Sequence, residues 1–288
     1  MTAGTNLVKE NYLKQTLPRP NLFDSCQPDD TRFRKLMEKP EAEEDLAIYF
    51  TPRSGSSWLT QAIQIAGGLG RAGEFFNPNF VPRIAQKMGV ASLDNYISGV
   101  RRKLNSGGVF SFEVTYYQMK RTFGDEDTFS SYFNTAPAVW LIRKDIVSQA
   151  VSLAKKEKTR IGHSNQLKES SAEELDSVFE YDSDLINRWL KHIINAEIKT
   201  ERFFDKFDIN PLRLSYEFIM AEGAERTLNR ISRHIGKEDA NVPAAARLPE
   251  KLGTHQNEAY AERFRKDAAD HIDKLMEIRR HWVEAIPE

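Results

Sequence analysis

"LAIYFTPRSGSSWL", residues 46–59, joins an apolar run to a loop of small hydroxyl residues around one arginine. Leu46–Phe50 reads as a buried strand, and "SSWLTQAIQIAGG", 56–68, reads as a helix. Ser56 or Ser57 is placed to cap its start, and Gly67-Gly68 to end it. A strand, a tight turn and a helix start gather backbone N–H groups about one point, and the positive end of the helix dipole adds to them. Gly55 lets the backbone approach a ligand closely, and Ser54, Ser56 and Ser57 bring hydroxyls. Arg53 brings a charge that does not titrate away and grips two oxygens at once. The stretch reads either as an anion site of the phosphate-binding kind or as a capped turn whose serines only start a helix.

Two common nucleotide loops are absent. No Gly-Lys-[Ser/Thr] follows the strand, so the loop is not a Walker A loop, and no G-x-G-x-x-G stands there either. Further strands are predicted at "GVFSFEVTY" (108–116), "PAVWLIR" (137–143) and "PLRLSY" (211–216). Helices are predicted at "DIVSQAVSLAKKEK" (145–158), 184–204, "AERTLNRISRHIG" (224–236) and along the charged tail from Glu258 to Glu284. In 184–204, Ile186, Trp189, Leu190, Ile193 and Ile194 fall on one stripe. Strands alternating with helices imply an α/β domain with a mostly parallel sheet flanked by helices. Residues 1–44 are polar and carry Pro18, Pro20, Pro28 and Pro40; they read as an N-terminal extension to a domain of residues 45–288.

Composition bounds the function. The 288 residues balance 41 Lys and Arg against 42 Asp and Glu, which gives no basic excess for general nucleic-acid binding. No apolar run reaches the roughly 18 residues of a membrane span, and the first residues lack the apolar core of a signal peptide. Cys26 is the only cysteine, which excludes an internal disulfide and a cysteine metal cluster. A reducing cytoplasm is the simplest setting, and no metal is expected.

"WLIRKDIVSQAVSL", 140–153, repeats the first pattern. A buried strand ends in Arg143 and Lys144, and a helix follows at once. Ser148 and Ser152 are one turn apart and share a face, with Gln149 beside them. Ligands of parallel sheets sit outside the carboxyl ends of the strands. Two strand ends, each with an Arg and hydroxyls, therefore suit two separate phosphate groups. The bland alternative is a surface helix with Asp145 at its N-terminus, which accounts poorly for Ser152.

These residues resemble a known family. "TPRSGSSWL" is similar to the 5′-phosphosulfate loop of sulfotransferases, and "RKDIVSQAVSL" to their 3′-phosphate element. "AGEFFNP" (72–78) and "PEKLGTHQNEAYAERFRKD" (249–267) narrow the resemblance to the bacterial trehalose 2-sulfotransferase family, over about residues 46–267. The resemblance implies a P-loop-like sulfotransferase fold and sulfuryl transfer from 3′-phosphoadenosine-5′-phosphosulfate (PAPS) to a hydroxyl, typically on a carbohydrate. It implies a homodimer and no metal. Carried over, Arg53, Ser54, Gly55, Ser56 and Ser57 would hold the 5′-phosphate and sulfate oxygens, with Arg53 also acting in catalysis. Arg143, Ser152 and Ser148 would hold the 3′-phosphate, and Glu74 would be the catalytic base.

The sequence also departs from that pattern. Glu113 stands where the family strand usually carries Lys, and Arg71 stands where the family has an acid three residues before the catalytic Glu. In the family that acid would contact the sugar, so its replacement argues against trehalose itself as the acceptor, and the donor-side motifs are kept better than the acceptor-side ones. Two rival readings stay open: a nucleoside-triphosphate kinase, and a non-catalytic module for sulfated or phosphorylated ligands. Lys251, Gly253 and Thr254 are candidates for a lid over the adenosine. Trp58 and Trp140 read as core, Tyr216 as a half-buried aromatic or a site wall, and His163, His192 and His255 as scattered residues without a ligand role.

Overall fold

A computed structural model describes residues 21–159, 176, 178–240, 242–243, 248 and 254–286. His163, Lys251, Gly253 and the first part of the N-terminal extension lie outside the described residues. Four strands, β1 (Glu44–Phe50), β2 (Val109–Val114), β3 (Ala138–Ile142) and β4 (Leu212–Ser215), form one all-parallel sheet in the order β2-β1-β3-β4. Every residue of β2 and β3 is buried, because helices cover both faces of the sheet. This is the α/β architecture that the alternating pattern predicts.

Alternation along the strands divides the core in two. Leu46, Ile48, Phe50, Val139, Leu141 and Leu214 face the layer of α2 (Ser56–Ala66) and α9 (Tyr216–His234). Ala47, Tyr49, Trp140 and Ile142 face the other layer, with α4 (Leu93–Lys103), α6 (Glu126–Phe133) and the end of α8 (Ser183–Lys206). Helices α1 (Asp30–Met37), α3 (Val81–Met88) and α5 (Tyr116–Phe123) complete that side, where Phe23, Cys26 and Leu36 of the N-terminal extension are also buried. A third cluster lies among α7 (Ile146–Thr159), α8, α10 (His255–Asp267) and α11 (Ala269–Glu284).

Several boundaries differ from the sequence reading. The start of α2 is capped by neither Ser56 nor Ser57: Gly55, at φ 93°, is the N-cap, and Ser56 is the first helical residue. Strand β2 stops at Val114, because Thr115 and Gln118 form a reciprocal capping box that starts α5 at Tyr116. Helix α9 begins at Tyr216, directly after β4, and is interrupted at Gly223, whose φ is 75°. Gly236 ends the helical run in the left-handed region, with Lys237 N–H on Ser232 O at 2.8 Å. The charged tail is two helices, α10 and α11, parted at Ala268.

The stripe on α8 is as the spacing predicts, with Ile186, Leu190, Ile193 and Ile194 buried and Trp189 half-buried. It continues through Glu197, Thr200 and Glu201, all buried.

The segment after α2 is anchored by one aromatic ring. Phe76 is fully buried and makes edge contacts with Phe112 (centroids 4.9 Å apart) and Phe123 (5.1 Å). Phe76→Ala is expected to lower unfolding stability by about 3–5 kcal/mol in a urea titration.

Candidate active site

In the order β2-β1-β3-β4, the chain leaves β1 toward one edge and returns to the other side of β1 at β3. Such a switch point opens a crevice at the carboxyl ends of the two strands. Both basic loops sit there, the first after β1 and the second after β3.

Arg53 takes a left-handed backbone conformation, φ 71°, that is uncommon for a residue with a side chain. Its Nε donates to Ser152 Oγ at 2.8 Å, so the first loop is tied to the helix that follows the second. Gln149, fully buried, donates to Thr51 Oγ1 (2.9 Å) and Pro52 O (2.8 Å) and holds the same loop from below. Arg143 Nη1 reaches Arg53 O at 3.5 Å, and its guanidinium lies 4.6 Å from the centre of the Tyr216 ring. Burial and then the neighbouring Arg143 charge push the Arg53 guanidinium below its ordinary pKa. Two cations are thus held together. Arg143 Nε and Ser54 Oγ are buried without hydrogen-bond partners. Gly55 has no room for a side chain, since a Cβ there would meet the Tyr216 ring at 2.8 Å.

The second loop differs from the first in its backbone. The N–H groups of Lys144 and Asp145 donate to Glu217 at 2.9 and 3.1 Å, so a carboxylate of α9 already takes them. Asp145 accepts from Ser148 N–H at 3.0 Å and from Arg265 of α10 at 2.8 Å. These bonds hold the Asp145 carboxyl below its usual range against the opposing effect of burial. Ser148 Oγ stands 3.4 Å from Arg265 Nη2. Arg265 and Glu217 were not legible as site residues. Each is a charged residue on a helix, and only the packing of α9 and α10 brings it here.

Glu74 sits in the segment between α2 and α3, away from the two arginines in sequence. Its Oε2 accepts from Gln118 Nε2 at 2.5 Å and Asn77 Nδ2 at 2.8 Å. The two amides hold the carboxylate in one orientation. The next residue but one, Phe76, turns into the aromatic core, and Tyr96 Oη donates to Phe75 O at 2.6 Å. Arg71 is exposed.

Glu113, on β2 opposite Ile48, donates its N–H to Gly73 O at 2.8 Å and so pins the residue before Glu74. Glu113 is 3% exposed, and its Oε1 lacks a hydrogen-bond partner. Desolvation, first, and the charge of Glu74, last, push the Glu113 carboxyl up to about 8, while Thr60 opposes the shift. Among the residues set aside, Trp140 is core, Trp58 is partly buried on α2, and His192 stacks on Tyr117 at 4.9 Å.

This crevice, with paired guanidiniums at a parallel-sheet switch point, fits an anionic ligand. A family model described as Stf0 sulphotransferase matches residues 84–267, well over half of the chain. The chain belongs to the Stf0 sulphotransferase family, in agreement with the resemblance of its motifs, and is a sulfotransferase by family. The matched span includes Arg143, Ser148 and Ser152 and begins after Arg53 and Glu74. No curated protein matches the chain. Among the described residues no helix is long and apolar enough to cross a membrane, and no cluster of His, Cys, Asp or Glu is arranged to hold a metal ion.

The Glu113 environment gives a pH prediction. Below its unfolded value of about 4.5 both states carry the proton. Between that value and about 8 the folded chain keeps a proton that the unfolded chain has lost, so this group's contribution to stability falls as pH rises. Glu113→Gln has no such proton. Its stability relative to the parent should rise across this window, by up to roughly 1.4 kcal/mol per pH unit, and level off above it. Denaturant midpoints of both proteins at pH 5 and 8.5 measure this; an unchanged difference would mean an ordinary carboxyl.

Proposed function

We propose that the protein transfers the sulfuryl group of PAPS to a hydroxyl of a carbohydrate or glycolipid-type acceptor. The observation that carries this reading is the meeting of Arg53 and Arg143 at two adjacent strand ends, with Arg143 Nη1 on Arg53 O and Arg53 Nε on Ser152 Oγ. Two like charges held together in a partly buried crevice repel each other, and an anion between or beside them relieves that repulsion. The buried, unpartnered Arg143 Nε and Ser54 Oγ fit the same view, since such groups otherwise carry a desolvation penalty.

In this reading Arg53, Ser54, Gly55, Ser56 and Ser57 hold the 5′-phosphosulfate at the start of α2, where no side chain caps the helix. Arg143 and Ser152, with Ser148 at the rim, hold the 3′-phosphate. PAPS, when bound, supplies the sulfuryl group. Arg53 stabilises negative charge as it gathers on the leaving oxygen, through fixed donors that need no rearrangement. Glu74 removes the acceptor's proton. Its Oε2 is engaged by Gln118 and Asn77, which makes Oε1 the proton-accepting atom. With Glu113 and Arg71 at the acceptor-side positions, we take the acceptor to be other than trehalose. The cytoplasmic setting, the homodimer and the division into a 1–44 extension and a 45–288 domain belong to the same proposal.

Two measurements test it. The first is calorimetry of adenosine 3′,5′-bisphosphate against AMP. The bisphosphate should bind much more tightly, since a charge-assisted phosphate contact contributes roughly 1.5–3 kcal/mol, and Arg143→Ala should remove most of that preference. Equal affinities in the parent would refute the assignment of the second loop. The second is turnover of Glu74→Gln, expected to fall about 10²- to 10⁴-fold with nucleotide affinity and melting temperature close to the parent's. A near-parental kcat at saturating acceptor would exclude Glu74 as the base.

A further inference from the structure

We infer that Arg279, at the far end of the chain, is a positioning residue that sets the direction of Arg143 in the donor site. The inference rests on the assignment of Arg143 to the 3′-phosphate. Arg279 lies on α11, beyond the residues that the family model matches. Its charged neighbour Arg280 is exposed and pairs with Glu277 and Glu284 on the surface of the same helix. Arg279 is 0% exposed.

The five donors of a guanidinium form a rigid fork. Here the Nε and Nη2 groups grip both oxygens of Glu197 at 2.7 and 2.9 Å. Trp282 Nε1 donates to the same carboxylate at 3.0 Å. The fork also reaches the turn after β3: Nη2 donates to Arg143 O at 2.7 Å and Nη1 to Lys144 O at 3.0 Å. Glu217 takes the N–H groups of Lys144 and Asp145 from α9. Two carbonyls and two amides of one short turn are therefore held by charged side chains from two different helices, α11 and α9.

A buried ion pair is weak evidence of a stability role, because apolar residues of similar volume often serve as well. Its geometry is the informative part. A pair needed only to neutralise Glu197 would not need two bonds to the backbone of Arg143 and Lys144. Those bonds fix the peptide that carries the Arg143 side chain toward Tyr216 and Arg53. A lysine could keep the charge opposite Glu197 but lacks the planar fork to hold both carbonyls.

The test compares affinities for adenosine 3′,5′-bisphosphate and AMP in the full-length chain. The variants are Arg279→Lys, the apolar double variant Arg279→Met with Glu197→Leu, and Arg143→Ala alone and combined with Arg279→Lys. The preference for the bisphosphate should fall about tenfold or more in the first two, with AMP affinity retained. In the Arg143→Ala background, Arg279→Lys should cause no further loss, because its effect runs through Arg143. Folded variants that keep the parental preference would overturn the inference, as would additive losses in the combined variant. Failure of both Arg279 variants to fold would make it a stability residue and overturn the positioning role. A parent with no preference would instead refute the donor reading beneath it.

Discussion

Arg53 and Arg143 come from different strands and stand against each other at the mouth of the sheet, an arrangement that electrostatics opposes. The pair persists because the surrounding structure leaves the two side chains little freedom. Ser152 takes the Nε of Arg53, and Gln149 holds the strand end behind it. Tyr216 lies against the guanidinium of Arg143. Glu217 and the Arg279–Glu197 pair lock the turn from which Arg143 extends. These restraints come from α7, α8, α9 and α11, so the crevice exists only when these helices are in place. Preorganised charge of this kind does not have to reorganise when an anion arrives or when charge moves, which is where such sites gain most.

The surroundings of Glu74 are built by other means. Two neutral amides, those of Gln118 and Asn77, orient Glu74. The segment that carries it is fixed at both flanks. Gly73 O is bonded to the backbone of β2, and Phe76 is driven into a cluster of aromatic rings. Glu113 adds a second carboxyl behind the first, in a place where burial favours its neutral form. The strand ends after β1 and β3 thus carry guanidiniums, and the segment beside β2 carries carboxyls.

Much of this was legible in the sequence. Apolar runs such as "LAIYF" and "PAVWLIR" marked the strands, because a sheet covered on both faces needs apolar residues without alternation. Arg, Gly and Ser directly after those runs marked two basic, donor-rich loops, because such residues supply donors and close backbone approach where a strand meets a helix. The motifs also pointed to the family that the family model matches. Glu197 and Glu201 left a fainter trace: they continue the apolar stripe of α8, and a charge on such a stripe implies a buried partner.

Strand identity, loop chemistry and family were therefore determined by the sequence alone, since each depends on residues close together in the chain. Tertiary structure alone decided the partners. Arg279 and Arg280 are adjacent and chemically identical, yet one is buried against Glu197 and the other is on the surface. Thr115 ended a run that read as strand because its side chain and that of Gln118 close a cap. Gly55 rather than a serine became the N-cap because the turn needs a left-handed residue pressed against Tyr216. Pairings across a hundred residues depend on how helices dock, and helix docking follows the shape of the whole core rather than any local pattern.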